Sequence, residues 1–186
     1  MFSKPNQEER HCGAALPASG WSYPWVETLD LRNGPLHTRD ECIRDLALAQ
    51  TYLEKLPIGT VLAATRGGFK QIGQTGVREV EATSNPAMTA LLPNAQVAPY
   101  FLKTVLISQR DYWKSVANSA RKDPNITKTD VRNFKPPLSG LPTQCIIVAG
   151  IEVEQVLVNA NRELIRRMAA KVKATIDRLW GVPTQA

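Results

Sequence analysis

The sequence is short of the residues that most active sites and metal centres use. Its 186 residues include two histidines and three cysteines. The possible zinc ligands are His11, Cys12, His37 and Cys42, and the adjacent pair His11 and Cys12 lacks the spacing of paired ligands in a structural zinc site. There is no Walker loop, no Rossmann glycine fingerprint and no Gly-x-Ser-x-Gly elbow. Because no set of side chains fills the roles of an active site, we predict no enzyme activity, no metal and no cofactor.

Long apolar runs and an export signal are also missing. No run approaches the roughly 20 residues that a bilayer-spanning helix needs. The segment from Met1 to Arg10 is polar and has no signal-peptide core. The cysteines are odd in number and far apart, which argues against a disulfide framework. We expect a chain of cytoplasmic origin, with reduced and mostly buried cysteines and no membrane partner.

The net charge of +6 is concentrated in the middle of the chain. Residues 1–60 carry a net charge of −2, residues 61–135 carry +6 and residues 136–186 carry +2. A positive field of this kind favours association with nucleic acid or with an acidic protein surface, and it says little about fold.

The first folded elements are a helix and a small meander. Thr38 followed by Glu41 is typical of a capping box, and apolar residues at helical spacing predict a helix that ends at Leu56. From there to residue 82, glycine pairs separate three short β-rich segments, which predicts a three-stranded antiparallel meander at 60–64, 69–72 and 77–81.

One motif in this region has a known counterpart. The pattern Leu56-Pro57-x-Gly59-Thr60-Val61 followed by Gly67-Gly68-x-x-Gln71 resembles a short hairpin element found in small proteins of actinobacterial phages. The resemblance covers residues 56–82, implies a phage origin and transfers no residue role.

The rest of the chain predicts two more helices and one strand. Residues 84–99 are proline-rich and predict a loop. A helix is expected over 109–121, whereas 100–108 fits strand and helix equally. Residues 145–149 predict a buried strand, with 151–158 left open between strand and helix, and 159–180 predict a helix with the apolar stripe Leu164, Met168, Val172, Ile176 and Leu179. The expected fold is α+β, a small antiparallel meander packed with three helices.

Two segments lack any sustained pattern. Residues 1–37 predict an extended N-terminal arm, and residues 123–142 predict a proline-rich connector within a single domain spanning 38–186. Indole rings bury well only against a packed surface, so Trp21 and Trp25 on the arm, with Pro136 and Pro137 on the connector, are predicted to bind other copies of the chain or neighbouring structural subunits. For Trp113, on a helical stripe, intrachain packing is expected.

A second set of residues predicts contact with nucleic acid. The tip Arg66-Gly67-Gly68-Phe69-Lys70 combines two cations with an aromatic ring, which suits phosphate binding and base stacking. The candidates are Arg66, Lys70, Arg110, Lys114, Arg166, Arg167 and Lys171. The alternative for each is a solvated surface charge; on the last helix, for example, Glu163 would pair with Arg167.

Two functions are therefore open. The first hypothesis is a structural or assembly subunit of a multi-chain complex, such as a phage virion head, connector or tail protein, because protruding arms add contact area between subunits. The alternative is a nucleic-acid-binding accessory protein that uses its basic middle and C-terminal helices.

Overall fold

The structure is a computed structural model that describes residues 21–37, 41–51, 53–117 and 124–180. It separates into two compact units, Met1–Gln144 and Cys145–Ala186. The predicted α+β fold class is confirmed, with small sheets and five α-helices in the described residues.

The described part of the first unit contains two small sheets and four short α-helices. The strands are β1 Trp21–Val26, β2 Gly34–Leu36, β3 Cys42–Arg44, β4 Val61–Ala64, β5 Thr75–Arg78, β6 Thr83–Ser84 and β7 Met88–Leu91; the helices are α1 Asp45–Gln50, α2 Pro99–Ser108, α3 Arg110–Val116 and α4 Lys128–Asn133. One sheet has the order β3-β1-β6 and the other β2-β5-β4-β7. A 3-10 turn, Thr28–Asp30, joins β1 to the segment before β2.

The core is built on both faces of the β4–β5 hairpin. All four residues of each strand are buried. Val61 and Val77 pack with Leu102 and Leu106 of α2, while Leu62 of β4 packs into a second cluster that includes Leu36 and Met88. Strands buried on both faces are continuously apolar and do not alternate, which explains the sequence Val-Leu-Ala-Ala in β4.

The prediction of an extended arm over 1–37 is wrong for its described part. Residues 21–26 form β1, which pairs antiparallel with β3 and parallel with β6, and residues 34–36 form β2, which pairs with β5. The Trp25 side chain is 1% exposed and is covered by its own chain, so the structure corrects its predicted role as an anchor for a partner. The reason is that two neighbouring strands supply the packed surface that the segment lacks by itself.

The helix predicted from Thr38 to Leu56 is much shorter. Thr38 lies outside the described residues, Cys42–Arg44 form β3, and only Asp45–Gln50 is helical. Ile43 is fully buried where it pairs with Tyr23. Strand pairing here outweighs the helical periodicity, because a β-branched residue packs well on a pleated surface.

The predicted meander is wrong in its middle strand, because the first predicted strand, as β4, pairs directly with β5, which overlaps the third predicted strand. Residues 69–72 form a turn rather than a strand, and the third strand is β7, which pairs with β4 inside the segment predicted to be a loop. The open segment 100–108 is helical in α2, and Gln109 separates it from α3. The predicted connector 123–142 contains α4 and the first residues of a long helix.

The described part of the second unit, residues 145–180, consists almost entirely of α5, Leu141–Leu179, whose first four residues belong to the first unit. The helix predicted at 159–180 is confirmed to residue 179, the open segment 151–158 is helical, and the strand predicted at 145–149 is wrong. A short apolar run does not distinguish a strand from a buried helix. By length and composition the helix contains an 18-residue window, of mean hydropathy 1.4, apolar enough to cross a membrane. Cys145 is exposed here, contrary to expectation, whereas Cys42 is buried.

Gln144 fixes the first turn of α5 within the first unit. Its side chain is completely buried. Its Oε1 accepts a hydrogen bond from the Ala98 backbone N–H at 2.9 Å, and its Nε2 donates to the carbonyl oxygens of Gln96 at 2.9 Å and Ser139 at 2.7 Å. Ala98 is the N-cap of α2, so the Gln144 side chain accepts from a backbone N–H that has no acceptor within that helix. The same side chain ties residues 96–98 to residue 139.

Two paired glycines test the packing of the sheet. A Cβ at Gly76 would lie 2.6 Å from Leu36 Cδ1 and 2.7 Å from Leu36 Cγ, whereas one at its register partner Gly34 meets nothing within 4 Å. We expect Gly76→Ala to lower the free energy of unfolding by about 1–3 kcal/mol through overpacking. Gly34→Ala should leave it unchanged or raise it by up to about 1 kcal/mol. Urea unfolding measures both, and equal effects would contradict the β2–β5 register.

Candidate nucleic-acid interface

The loop that joins β4 to β5 is held by its own backbone. The N–H of Gln71 donates to the Gly68 carbonyl at 2.8 Å, and the N–H of Gln74 donates to the Gln71 carbonyl at 2.9 Å. Gly67 and Gly73 have φ angles of +120° and +74°, in the region that favours glycine. The loop exposes the side chains of Arg66, Phe69 and Lys70.

Arg110 at the start of α3 holds this loop in place. Its Nη2 donates to the main-chain carbonyl of Lys70 at 2.5 Å. Its side chain passes over Gly73, where an added Cβ would lie 3.2 Å from Arg110 Cγ. Lys114 follows one turn later and pairs with Asp111 at 3.5 Å. The predicted candidates Lys70, Arg110 and Lys114 are therefore close together.

The segment before α4 runs beside the same loop. Arg66 forms a β-bridge with Asn125, and the N–H of Ile126 donates to the Thr65 carbonyl at 2.8 Å. The helix that follows has two exposed cations, Lys128 and Arg132. We define the basic surface as the cations that this series of contacts links: Arg66, Lys70, Arg110, Lys114, Lys128 and Arg132.

A capping box fixes the start of α4. The Thr127 hydroxyl accepts from the Asp130 N–H at 3.2 Å, while Asp130 Oδ2 accepts from the Thr127 N–H at 2.8 Å and from its hydroxyl at 2.6 Å. The hydrogen bond from the Thr127 side chain, followed by the one from its backbone, lowers the pKa of Asp130 below its ordinary value. This carboxylate, like Asp111, already has a partner within the chain.

An aromatic cluster connects α3 to the end of α4. The Trp113 ring lies edge-on to Phe134, with 4.8 Å between ring centroids, and contacts Tyr112 at 5.0 Å. The Trp113 Nε1–H donates to the Leu106 carbonyl at 3.2 Å. The intrachain packing expected for Trp113 is confirmed, and it holds α3 against the residue that follows α4.

Sequence reasoning missed Lys128 and Arg132. Both lie in the segment predicted to be a connector, and the signal was present as Thr127 followed three residues later by an acidic residue, a capping-box pattern. Arg121 and Lys122, in the same basic region, lie outside the described residues.

The other three nucleic-acid candidates lie on α5, in the second unit. Arg166, Arg167 and Lys171 are all exposed. The expected pair of Glu163 with Arg167 is wrong, because Glu163 pairs with Arg166 at 2.7 and 2.8 Å. This pair lowers the pKa of Glu163 and raises that of Arg166.

The predicted partner-binding residues whose side chains the structure describes, Trp25, Pro136 and Pro137, lie on two separate segments. Trp25 is buried, and the Trp21 side chain lies outside what the structure describes. Pro137 is exposed and Pro136 is half-buried, in an extended stretch between α4 and α5.

The described residues offer little for small-molecule chemistry. Among them, no group of three or more His, Cys, Asp or Glu side chains is placed to hold a metal ion. A cavity of about 10 Å³ lies between β4, α3 and the segment before α4, lined by Ala63, Thr75, Trp113 and Ile126 among others, and it has room for about one water molecule.

Two solved structures share this fold. One, an HsdS subunit from Thermoanaerobacter tengcongensis, superposes with a TM-score of 0.63 and 22% identity over 96% of this chain. The other, from a study of complex assembly and conformational transition in the type I R-M system, gives a TM-score of 0.64 at 22% identity. The likeness extends to the fold. This chain spans about two-fifths of the length of each neighbour, 39% and 40%. No protein-family model and no curated protein matches the chain.

These neighbours overturn the resemblance of residues 56–82 to a phage hairpin element, and with it the phage and virion interpretation. The motif consists mostly of glycine and proline turn residues, which recur wherever a hairpin needs positive φ angles. Turn chemistry therefore does not indicate origin.

The capping box allows a test of how α4 is positioned. We expect Thr127→Ala to lower the free energy of unfolding by about 1 kcal/mol at pH 7, because the Asp130 N–H loses its acceptor. A lowered folded pKa stabilises the protein fully above the ordinary Asp value of 3.8, and the stabilisation is lost as the pH falls through the folded pKa. The variant should therefore lose less stability on acidification than the wild type.

Thr129→Ala, on the same helix but outside the box, is the matched control and should change neither quantity. Urea unfolding at pH 7 and between pH 5 and pH 2 measures both. Equal losses for the two variants would show that Thr127 does not cap the helix.

Proposed function

We propose that this chain is a non-catalytic DNA-binding subunit of a multi-chain assembly. The observation that carries the proposal is the fixed loop 65–74, which exposes Arg66, Phe69 and Lys70 and is held by Arg110. The fold shared with an HsdS subunit and with a chain of a type I R-M system supports this reading, since restriction and modification act on DNA. The virion hypothesis has no such support.

Charge favours a polyanion as the ligand of the basic surface. Its six cations are accompanied by Asp111 and Asp130, each already engaged within the chain. Lys and Arg side chains that meet phosphates release condensed counterions, which drives binding and makes it sensitive to salt. One donor of Arg110 already binds the loop, so we assign Arg110 a positioning role. We assign phosphate contact to Arg66, Lys70 and Lys114.

Phe69 adds an apolar contact at the tip of the loop. Its side chain is 51% exposed, between two flanking cations. A ring on a rigid loop can pack against a sugar or against an accessible base edge. Phosphate contacts fix the position of a protein on a duplex, whereas contacts with bases give sequence preference. We therefore assign sequence preference to Phe69 and its neighbours.

Assembly with other chains forms the second half of the proposal. The chain spans two-fifths of each neighbour's length, so the activity of a whole complex requires further polypeptide. Pro137 and the exposed residues around it stay candidates for contact with neighbouring subunits. Arg167 and Lys171 on α5 stay candidates for additional phosphates. The compartment that fits these roles is the cytoplasm.

The proposal predicts salt-dependent binding to duplex DNA through the loop. The wild type should bind a fluorescent random-sequence duplex, with a log affinity that falls linearly with log salt concentration. Lys70→Glu should weaken binding roughly 10-fold and reduce the magnitude of the salt slope by about one. Fluorescence anisotropy between 50 and 200 mM salt measures both quantities.

Two controls define the result. Lys70→Arg keeps the charge and should bind as the wild type does. Lys55→Glu makes the same change of charge far from the loop and should weaken DNA binding much less. Lys55 precedes Leu56, and the bridge between Leu56 and Ala82 lies beyond the end of the β4–β5 hairpin that is opposite the loop. If Lys55→Glu weakens binding as much as Lys70→Glu, only net charge matters and the loop is not the site. If the wild type shows no salt-dependent affinity, the proposed function is wrong.

A further inference from the structure

The aromatic cluster between α3 and α4 has one ring that is open to solvent. Tyr112 is 42% exposed, whereas its neighbour Trp113 is 3% exposed. The Tyr112 ring lies 6.0 Å from the ring of Phe134, between centroids, with an angle of 32° between the two planes. It meets Trp113 nearly edge-on, at 65°. We define the aromatic shelf as the rings of Tyr112 and Phe134.

Two helices fix the position of this shelf. Tyr112 lies on α3, next to Trp113, which is anchored in the core. Phe134 is the C-cap of α4, and its backbone N–H donates to the Asp130 carbonyl at 3.1 Å. Rings held in this way lose little conformational freedom when a flat ligand stacks on them. The shelf is therefore ready to bind before a ligand arrives.

The charges near the shelf favour an anion. Arg132 lies in the last turn of α4, Lys135 directly follows Phe134, and both are exposed. On α3, Lys114 lies two residues after Tyr112 and pairs with Asp111 at 3.5 Å. The ligand that suits a flat ring surrounded by cations is one that joins an aromatic ring to a phosphate, as a nucleotide does.

The contacts of α3 join the shelf to the loop of the proposed DNA site. Tyr112 lies two residues after Arg110, whose guanidinium binds the Lys70 carbonyl. A paired base in a duplex presents its edges in the grooves, because its faces are stacked on neighbouring bases. Only a base outside the stack offers a face to an aromatic ring, and an unpaired base leaves the stack at the lowest cost.

We propose that the aromatic shelf stacks an unpaired base of the DNA that the basic surface holds. This inference rests on the proposed function and deepens it, because it adds a base outside the stack to a duplex held by its phosphates. Tyr112 supplies the stacking face, and Phe134 supports it. Stacking of this kind accepts every base, since every base has an aromatic face, so the shelf selects unpaired DNA without selecting a sequence.

Two matched duplexes test the shelf by fluorescence anisotropy. One is a perfect duplex, and the other is the same duplex with one additional unpaired adenine. We expect the wild type to bind the second roughly 10-fold more tightly at equal salt, from the energy of stacking one base on an aromatic ring. Tyr112→Leu keeps an apolar side chain against Phe134 but has no ring, and it should reduce the preference to within about 2-fold. Tyr112→Phe keeps the ring and should retain the preference.

Stacking is also measured directly, with 2-aminopurine as the unpaired base. This base fluoresces strongly when it is unstacked and weakly when it stacks on an aromatic ring. The wild type and Tyr112→Phe should quench its emission at saturation, whereas Tyr112→Leu should not. Phe69→Ala removes the exposed ring of loop 65–74 and is the matched control. It should weaken both duplexes equally and leave the quenching intact.

Three results would overturn the inference. They are equal affinity of the wild type for the two duplexes, equal weakening of both by Tyr112→Leu, and quenching that Phe69→Ala removes while Tyr112→Leu retains it, which would assign the base to the loop. In each case the wild type still binds the perfect duplex, so the proposed function stands. A wild type without salt-dependent affinity for the perfect duplex would instead refute the proposed function, and the inference with it.

Discussion

Burial of the β4–β5 hairpin on both faces is the constraint on which the first unit depends. Val61 and Val77 need α2 on one side, while Leu62 needs Leu36 and Met88 on the other. Different parts of the chain cover the two faces of the hairpin. The helices that follow the sheet pack on the face of Val61 and Val77, and the N-terminal strands pack on the face of Leu62. Trp25, Val26, Leu31 and Leu36 of the N-terminal segment are therefore part of the core. The loop at the end of the hairpin is attached to two buried strands. A surface loop on such a base loses little conformational entropy when it binds.

Some of the fold was predictable from the sequence, because it depends on local chemistry. Gly67 and Gly73 marked the two ends of the connection between β4 and β5, although a strand was predicted between them, and the apolar period of residues 159–180 was long enough to identify a helix. The elements that were missed depend on distant partners. Ile43 is in a strand because β1 lies beside it, and Trp25 is buried because two strands flank it. No pattern within either segment contains that information, since tertiary pairing overrides local preference.

The candidate site divides in the same way. Arg66 and Lys70 were predictable because a turn with two cations and an aromatic ring is visible in the sequence. The positioning role of Arg110 was not, because it arises from a contact across 40 residues with a main-chain carbonyl and from the space above Gly73. Lys128 and Arg132 were missed because nearby prolines suggested an irregular connector, although the capping-box residues Thr127 and Asp130 favoured a helix. Charge composition favoured nucleic acid or an acidic protein surface as a partner, and the contacts of loop 65–74 give the proposed site its position.

The way in which loop 65–74 is held has a consequence for how this surface can change over time. Main-chain groups and glycines give the loop its shape, and Arg110 grips a carbonyl that every amino acid possesses. The side chains of Arg66, Phe69 and Lys70 are exposed and form none of the hydrogen bonds described for that framework. Exchange at these three positions can therefore alter which ligand is preferred without refolding the scaffold, so that new recognition arises through single substitutions rather than through coordinated ones.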